Sequence, residues 1–441
     1  MAGAVPLVVT PGPPLAGAFK PPGDKSVTHR AILFGLLAAG TTRISNANPG
    51  ADCARSLACA ETLGARVARD GDTLLVEGVA GRVVEPAEVL DCGNSGTTLR
   101  LLAGLLAAQP VLAVLTGDAS LRNRPVARVV EPLRAMGATL AARDGDRLPP
   151  LVVRGGALRP LAIERTTPSA QVATAVLLAG LQTAGRTSVA VAAGARDHTA
   201  RMLPAFGVPI ASAEGQDAVR LAVEGPLVPR ATRLEVPGDP SAAAFFLAAA
   251  AASPGARVTA RGVSLNPTRC GLLDALEAMG ARVERRALGV EAGEPVGDVT
   301  VEGPARLRAA DVAPAAVPAM IDEFPAWCVA AAAAEGVSRI AGAGELRVKE
   351  SDRLAAMARA LAALGVAVEE RADGLAIAGG AVRGGRVAAH GDHRVAMSLA
   401  VLATRAAGPV AIDDASSIAT SYPGFTADLA ALGGRVVEAS A

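Results

Sequence analysis

The chemistry in this chain is densest where acids and cations gather at the beginnings of helices. PAMIDEFPAW (318–327) sets Asp322 and Glu323 at one such start, and ELRVKESDRLAAMARAL (345–361) offers Arg347, Lys349, Glu350, Asp352 and Arg353. PPGDKSVTHRAILFGLLAAG (21–40) brings Lys25, Ser26, Thr28, His29 and Arg30 within about two turns of another. A helix start carries roughly half a positive charge and unpaired N–H groups. Adding a lysine and an arginine makes a site suited to a phosphate or a carboxylate. GDHRVAMSLAVLATRAAG (391–408), with His390 just before it, adds Asp392, His393 and Arg394 at a further start. The HxDH types there could bind a metal, but no second cluster accompanies them. A salt-bridged helix face competes as the reading of 345–361. Against it, Lys349, Glu350 and Arg353 precede the helix body, which begins near Leu354.

Three further stretches carry polar groups at turns. In DCGNSGTTLR (91–100), Gly93 and Gly96 flank Asn94 and Ser95, so backbone can approach a ligand closely. The spacing is neither a Walker A loop nor a GxGxxG fingerprint. In GDASLRNRPVARVVEPL (117–133), Arg122, Arg124 and Arg128 surround Pro125. Arg124, directly before the proline, is held extended and can point into a cleft; a solvated loop is the alternative. TTPSAQ (166–171) supplies Ser169 and Gln171 as neutral hydrogen-bonding groups, and ARDHTARML (195–203) places Arg196, Asp197 and His198 on a loop. His198 reads as a cap or surface group rather than a catalyst.

The elements that must hold these residues repeat. Apolar helices follow the starts in 21–40, 93–108, 166–182, 238–252, 322–336 and 391–408. A second mark keeps step: a helix ending near a glycine, then alternating apolar residues suited to strands, in 61–78, 132–156, 201–225, 274–286 with 299–303, 360–380 and a truncated 429–439. Six units of two helices and several strands follow from this. Residues 1–20 read as a strand with a Pro/Gly turn. LEVPGDPSAAAFF (234–246) reads as a hinge, with three units on either side.

At 441 residues the chain should form two or more domains. Hydrophobic residues make up 51% and aromatics only 2%, so the cores must be built from Ala, Leu and Val. With 43 basic and 42 acidic side chains, one Trp and one Tyr, nothing suggests nucleic-acid or membrane-surface binding. Five cysteines without a CxxC pair argue against disulfide or metal frameworks. MAGAVPLVVT lacks a basic leader region, and no apolar run approaches the ~18 residues of a membrane span, so a cytoplasmic protein is expected.

In order along the chain, PGDKSVTHR, GNSGTTLR, RNRPV, PSAQ, the acidic pair at 322–323, RVKESDRL, GDHRVAM and IATSYPGF (418–425) resemble the 5-enolpyruvylshikimate-3-phosphate synthase family over nearly the whole length. The resemblance implies a two-domain inside-out α/β barrel of six βαβαββ repeats, three per domain about a pseudo-threefold axis. Domain I would take 1–21 and 239–441, domain II 22–238, with hinge crossings near 21–23 and 237–240. It implies a carboxyvinyltransferase that is a cytoplasmic monomer in aromatic amino acid biosynthesis and a glyphosate target. The substrates would be shikimate 3-phosphate and phosphoenolpyruvate, without metal, organic cofactor, nucleic acid or membrane.

By position, Asp322 matches the family's base near the accepting hydroxyl. Glu350 matches the group that gives a proton to the methylene and takes one back, and Lys25 lies between the substrates. Lys25, Ser26, Arg30, Ser169, Ala170, Gln171, Asp322 and Lys349 match the shikimate 3-phosphate set. Lys25, Gly96, Arg124, Gln171, Arg353 and Arg394 match the phosphoenolpyruvate set. Six cations, Lys25, Arg30, Arg124, Lys349, Arg353 and Arg394, would oppose two substrates of about three negative charges each. The chain departs from the family at Leu101 (often proline), Thr420 (often lysine), Glu345 (an asparagine contact) and the loop 196–198. The sister enzyme acting on UDP-N-acetylglucosamine is disfavoured because GDASLRNR lacks its cysteine. An RNA 3′-phosphate cyclase is disfavoured by the near-neutral charge. A non-catalytic anion-binding module leaves Asp322 and Glu350 unexplained.

Overall fold

The computed structural model describes residues 6–167 and 169–438, apart from the side chains of 165–167 and 438. Pro168 of TTPSAQ and the first five residues of MAGAVPLVVT lie outside the described residues. All six apolar runs form helices: Lys25–Leu37, Gly96–Ala107, Ala170–Leu181, Pro240–Ala251, Phe324–Ala333 and His393–Ala403. A helix apolar on every side must be buried on every side. Accordingly, every residue from Ser241 to Ala251 is buried, as is Val172–Leu181.

The second helices are Ala51–Thr62, Ala127–Ala135, His198–Met202, Gly271–Ala278, Arg353–Ala363 and Phe425–Ala431. The third continues as a 3₁₀ turn, Leu203–Phe206. Each is followed by a glycine with φ between +73° and +103°: Gly64, Gly137, Gly207, Gly280, Gly365 and Gly433. The left-handed ending expected at these glycines recurs in all six units.

Two units run straight through the chain. In one, strands Leu90–Asp91, Leu112–Thr116, Thr139–Ala142 and Leu148–Arg154 form a sheet. Its first strand is parallel to the second, and its fourth lies antiparallel between the second and third. Ala162–Thr167, Gly185–Ala192, Ala211–Glu214 and Ala218–Gly225 repeat that order. This is the βαβαββ unit.

Three units borrow a strand from elsewhere in the sequence. Thr41–Ser45 takes Arg233–Glu235 as its parallel neighbour, and Arg257–Ser264 takes Ala16–Phe19. The last unit, read as truncated, is whole. Leu7–Thr10 inserts antiparallel between Val410–Asp413 and Arg435–Glu438, which corrects the reading of 1–20 as a single strand. In the fifth unit the strands Val337–Ile340, Ala367–Arg371 and Gly374–Ala378 form a three-stranded sheet. Its first strand is reduced to bridges at Arg308 and Val312.

The chain divides into two compact units. One takes the residues up to Pro22, Gly238–Gly289 and those from Pro295 on; the other takes Gly23–Pro237 and Val290–Glu294. In the first, Phe246 stacks on Phe425 at 5.1 Å inside an Ala/Leu/Val core. In the second, Phe34 meets Phe206 edge-on at 5.5 Å. At the chain crossings, Asp239 N–H donates to Pro22 O at 2.8 Å and Asp24 N–H donates to Pro237 O at 2.7 Å.

Close helix packing sets the later geometry. A Cβ on Gly104 would lie 2.4 Å from the Ala175 Cα, so only glycine lets Gly96–Ala107 approach Ala170–Leu181 this closely. That approach brings the N-terminal turns of both helices together.

Candidate active site

In the second unit, polar residues at three helix starts are held by neighbours. Lys25 Nζ donates to Asp52 Oδ2 at 3.0 Å, with both side chains largely buried. Arg30 is buried, donating from Nε to Thr199 Oγ1 at 2.8 Å, from Nη2 to Thr174 Oγ1 at 2.9 Å and from Nη1 to Ser26 O at 2.9 Å. Neutral hydroxyls thus help to orient the guanidinium. Arg124 is extended, as its place before proline requires (φ −95°, ψ 141°). It donates to Asn94 Oδ1 at 2.6 Å, Asn94 O at 3.1 Å and Ser120 Oγ at 3.0 Å. Of the three arginines on that loop, Arg124 is buried and Arg122 exposed.

Gln171 Oε1 accepts from Arg100 Nη1 at 2.8 Å, and its Nε2 donates to Thr97 Oγ1 at 2.9 Å. Ser169 stands at the N-cap of Ala170–Leu181 and is buried, while Ala170 and Gln171 are half-buried. Gly96 opens its helix behind Ser95, whose Oγ accepts from Thr98 N–H at 3.1 Å.

In the first unit the organising group is Arg353, the first residue of its helix and buried. It donates from Nη2 to Glu350 Oε2 at 2.6 Å, from Nε to Asp392 Oδ2 at 2.8 Å and from Nη1 to Asp322 Oδ1 at 3.3 Å. Burial alone would lower its pKa, but Asp392, Glu350 and Asp322 outweigh burial and hold it above the ordinary arginine value. Lys349 Nζ lies 3.9 Å from Asp322 Oδ1 and 3.3 Å from Glu345 Oε1. Arg394 donates to Asp322 O at 3.0 Å. Lys349, Glu350, Arg353, Arg394 and Asp322 therefore lie together, and Asp322 and Glu350 keep part of their surface open.

Several expectations change. The adjacent acids 322 and 323 part company. Glu323 is buried, its Oε1 accepting from Ser241 Oγ and lying 3.6 Å from Arg269. Only Asp322 joins the Arg353 cluster. Arg347 and Asp352 do form a salt-bridged face, at 2.7 Å from each other and with Arg347 at 2.9 Å from Glu370. The helix starts, alike in sequence, are of two kinds. Asp24, Asp239 and Asp392 cap three of them with a carboxylate, which offsets the positive pole. The starts at Ser95 and Ser169 have no acid in the first turn. His198, read as a cap or surface group, is buried and lies 2.7 Å from Glu294.

The sequence reading missed Asp52, Arg100, Thr174, Thr199 and Glu294 as supports. Thr174 was visible as a lone hydroxyl in the apolar run 172–181. Asp52 and Glu294 lie on other elements, with no local signal to mark them. Among the described residues, no single helix is long and apolar enough to cross a membrane.

Repeated βαβαββ units, with an acid pair on one buried arginine and a separate set of oriented cations, define a group-transfer enzyme for anionic substrates. The chain belongs to the EPSP synthase family (3-phosphoshikimate 1-carboxyvinyltransferase), whose match covers residues 9–429. It is 50% identical over 416 residues to a 3-phosphoshikimate 1-carboxyvinyltransferase of Anaeromyxobacter sp. (strain Fw109-5), covering 94% of this chain and 95% of that one. It is 48% identical over 413 residues to one from Herpetosiphon aurantiacus, covering 93% and 95%. A solved EPSP synthase from Acinetobacter baumannii superposes with a TM-score of 0.86 at 38% identity, over 99% of this chain and 100% of that one.

Proposed function

We propose that this enzyme transfers the enolpyruvyl group of phosphoenolpyruvate to the 5-hydroxyl of shikimate 3-phosphate, releasing phosphate. The observation that carries this reading is the placement of Asp322 and Glu350 on two nitrogens of one buried guanidinium. The reaction needs a proton delivered to C3 of phosphoenolpyruvate, which makes C2 electrophilic. The 5-hydroxyl must lose a proton as its oxygen bonds to C2. The resulting tetrahedral adduct then loses the C3 proton and expels phosphate.

Two placed carboxyls suit these transfers. Asp322, beside Arg353 and Lys349, takes the hydroxyl proton. Glu350 gives the C3 proton and takes it back. An anion arriving at Arg353 competes for the guanidinium and brings negative charge beside Glu350, which favours the protonated carboxyl that the first step needs. Arg353 and Arg394, with Lys25, Gly96, Arg124 and Gln171, bind phosphoenolpyruvate. Lys25, Ser26, Arg30, Ser169, Ala170, Gln171, Asp322 and Lys349 bind shikimate 3-phosphate. The starts at Ser95 and Ser169, which have no acid in the first turn, favour these anions. The reading includes a monomeric cytoplasmic enzyme whose domains meet near 21–23 and 237–240 along the chain.

Phosphate release from the two substrates tests it. Asp322→Asn and Glu350→Gln should each lower kcat by about 100-fold or more while shikimate 3-phosphate still binds. Turnover near that of the unaltered enzyme in either variant removes that residue from its role.

A further inference from the structure

A carboxylate distant in sequence braces the Arg30 site. Glu294 and His198 are both buried, with Glu294 Oε1 2.7 Å from His198 Nδ1. With the carboxylate accepting, the imidazole carries its proton on Nδ1. Glu294 opens the strand Glu294–Glu302 after the turn Ala292–Gly293, and the hairpin tip Val290–Glu294 groups with the unit that contains Arg30. The turn presses on the helix His198–Met202, since a Cβ on Gly293 would lie 2.2 Å from Arg201 O. Ala292, in the same turn, packs against that unit's core. Arg201 closes the helix end, donating from Nε to Asp197 Oδ2 at 2.7 Å.

The next residue after His198 is Thr199, whose Oγ1 accepts from Arg30 Nε at 2.8 Å. Thr174 Oγ1 donates to Ala170 O at 2.7 Å, so it accepts from Arg30 Nη2 and, at 2.6 Å, from the Thr199 hydroxyl. Arg30 therefore rests on two hydroxyls, one fixed by its own helix and one fixed by the seat of a five-residue helix. So short a helix holds its place by what packs on it rather than by its own hydrogen bonds. The Glu294–His198 pair supplies that packing at the residue adjoining Thr199.

We infer that Glu294 is a positioning residue for Arg30, acting through His198 and Thr199 on the affinity for shikimate 3-phosphate. This rests on the proposed role of Arg30 in holding that substrate. In Glu294→Gln the amide oxygen still accepts from His198 Nδ1, but as a weaker, uncharged partner, and Thr199 fixes the guanidinium plane less firmly. The loss falls on one substrate and not on the proton transfers, because Asp322 and Glu350 hold to Arg353 independently.

Titration calorimetry of shikimate 3-phosphate on the full chain tests this, using Glu294→Gln, Arg30→Lys and the double variant. Glu294→Gln should weaken binding about tenfold, a loss of about 1.4 kcal/mol. In steady state its KM for shikimate 3-phosphate should rise similarly, with kcat and the phosphoenolpyruvate KM moving less than about twofold. The double variant should bind within about twofold of Arg30→Lys alone, because both changes remove one interaction. Thr199→Val, which keeps the shape and deletes the hydroxyl, should reproduce the Glu294→Gln loss and decides the matter if Glu294→Gln fails to fold.

Unchanged binding in Glu294→Gln or Thr199→Val overturns the inference alone, as does a double variant showing the product of the two single losses. Unchanged binding in Arg30→Lys, or none in the unaltered protein, overturns the substrate role of Arg30 and the inference with it.

Discussion

His29 ties the stability of the helix Lys25–Leu37 to pH. Its Nδ1 lies 2.8 Å from Ser56 Oγ, which lies 2.8 Å from Thr98 Oγ1, and that hydroxyl donates to Ser95 Oγ at 2.7 Å. The ring thus links two of the helix starts. Burial, with the positive charges of Lys25 and Arg30 adding to it and Asp24 opposing, pushes its pKa down from 6.5 to about 3. The unfolded chain takes up this proton below 6.5, whereas the folded chain does so only near 3. The stability is therefore complete above 6.5, falls as pH drops toward 3, and levels off below.

The slope is about 1.4 kcal/mol per pH unit, so at pH 4.5 the loss is about 2.7 kcal/mol relative to pH 7. His29→Asn keeps a polar atom for Ser56 but cannot take the proton. Urea unfolding followed by far-ultraviolet circular dichroism, at both pH values, compares the two proteins. Trp327 belongs to the other unit and would not report on this helix. The variant should be weaker at pH 7 by about 1–2 kcal/mol through lost packing. It should nonetheless lose about 2.7 kcal/mol less on acidification, since other groups titrate alike in both. Equal acid losses in the two proteins would falsify the argument.

Two other perturbations follow from the site. Arg353→Met leaves three carboxylates facing one another, Asp392 fully buried, and should destabilise its unit by about 3–5 kcal/mol, read from Trp327 fluorescence in urea; a loss under about 1 kcal/mol would show that the arginine does not hold them. A Cβ on Gly96 would lie 2.6 Å from Arg100 Nη1, the nitrogen that donates to Gln171. Gly96→Ala should therefore raise the phosphoenolpyruvate KM by displacing Arg100, and should weaken glyphosate inhibition more. Equal losses for substrate and inhibitor count against that difference.

The sequence revealed what periodicity and composition control. Apolar runs marked all six buried helices, and the glycines marked the ends of their partners, because helix phase and left-handed turns are local. Strand borrowing was hidden: nothing within Leu7–Thr10 says that its partners lie around 411 and 437. The candidate residues divide similarly. Lys25, Arg124, Asp322 and Glu350 were visible from types and motif spacing. Residue types and spacing alone did not tell Asp322 from Glu323, which share the turn before Phe324–Ala333; the resemblance singled out Asp322, and the packing decides which faces Arg353. The braces, Asp52 for Lys25 and Thr199 for Arg30, come from residues 27 and 169 positions away.

Leu7–Thr10 also sets a timetable for the ribosome. Gly23–Pro237 includes its own returning strand, Arg233–Glu235, so all of that unit but Val290–Glu294 can mature once its segment has emerged. The opening strand has no neighbour until Val410–Asp413 is made. At about 5–20 residues per second that is a wait of roughly 20–80 s. For that interval the nascent chain displays Leu7, Val8 and Val9 with both hydrogen-bonding edges bare. Holding factors and stray strands alike would meet that tetrapeptide before its own partners do.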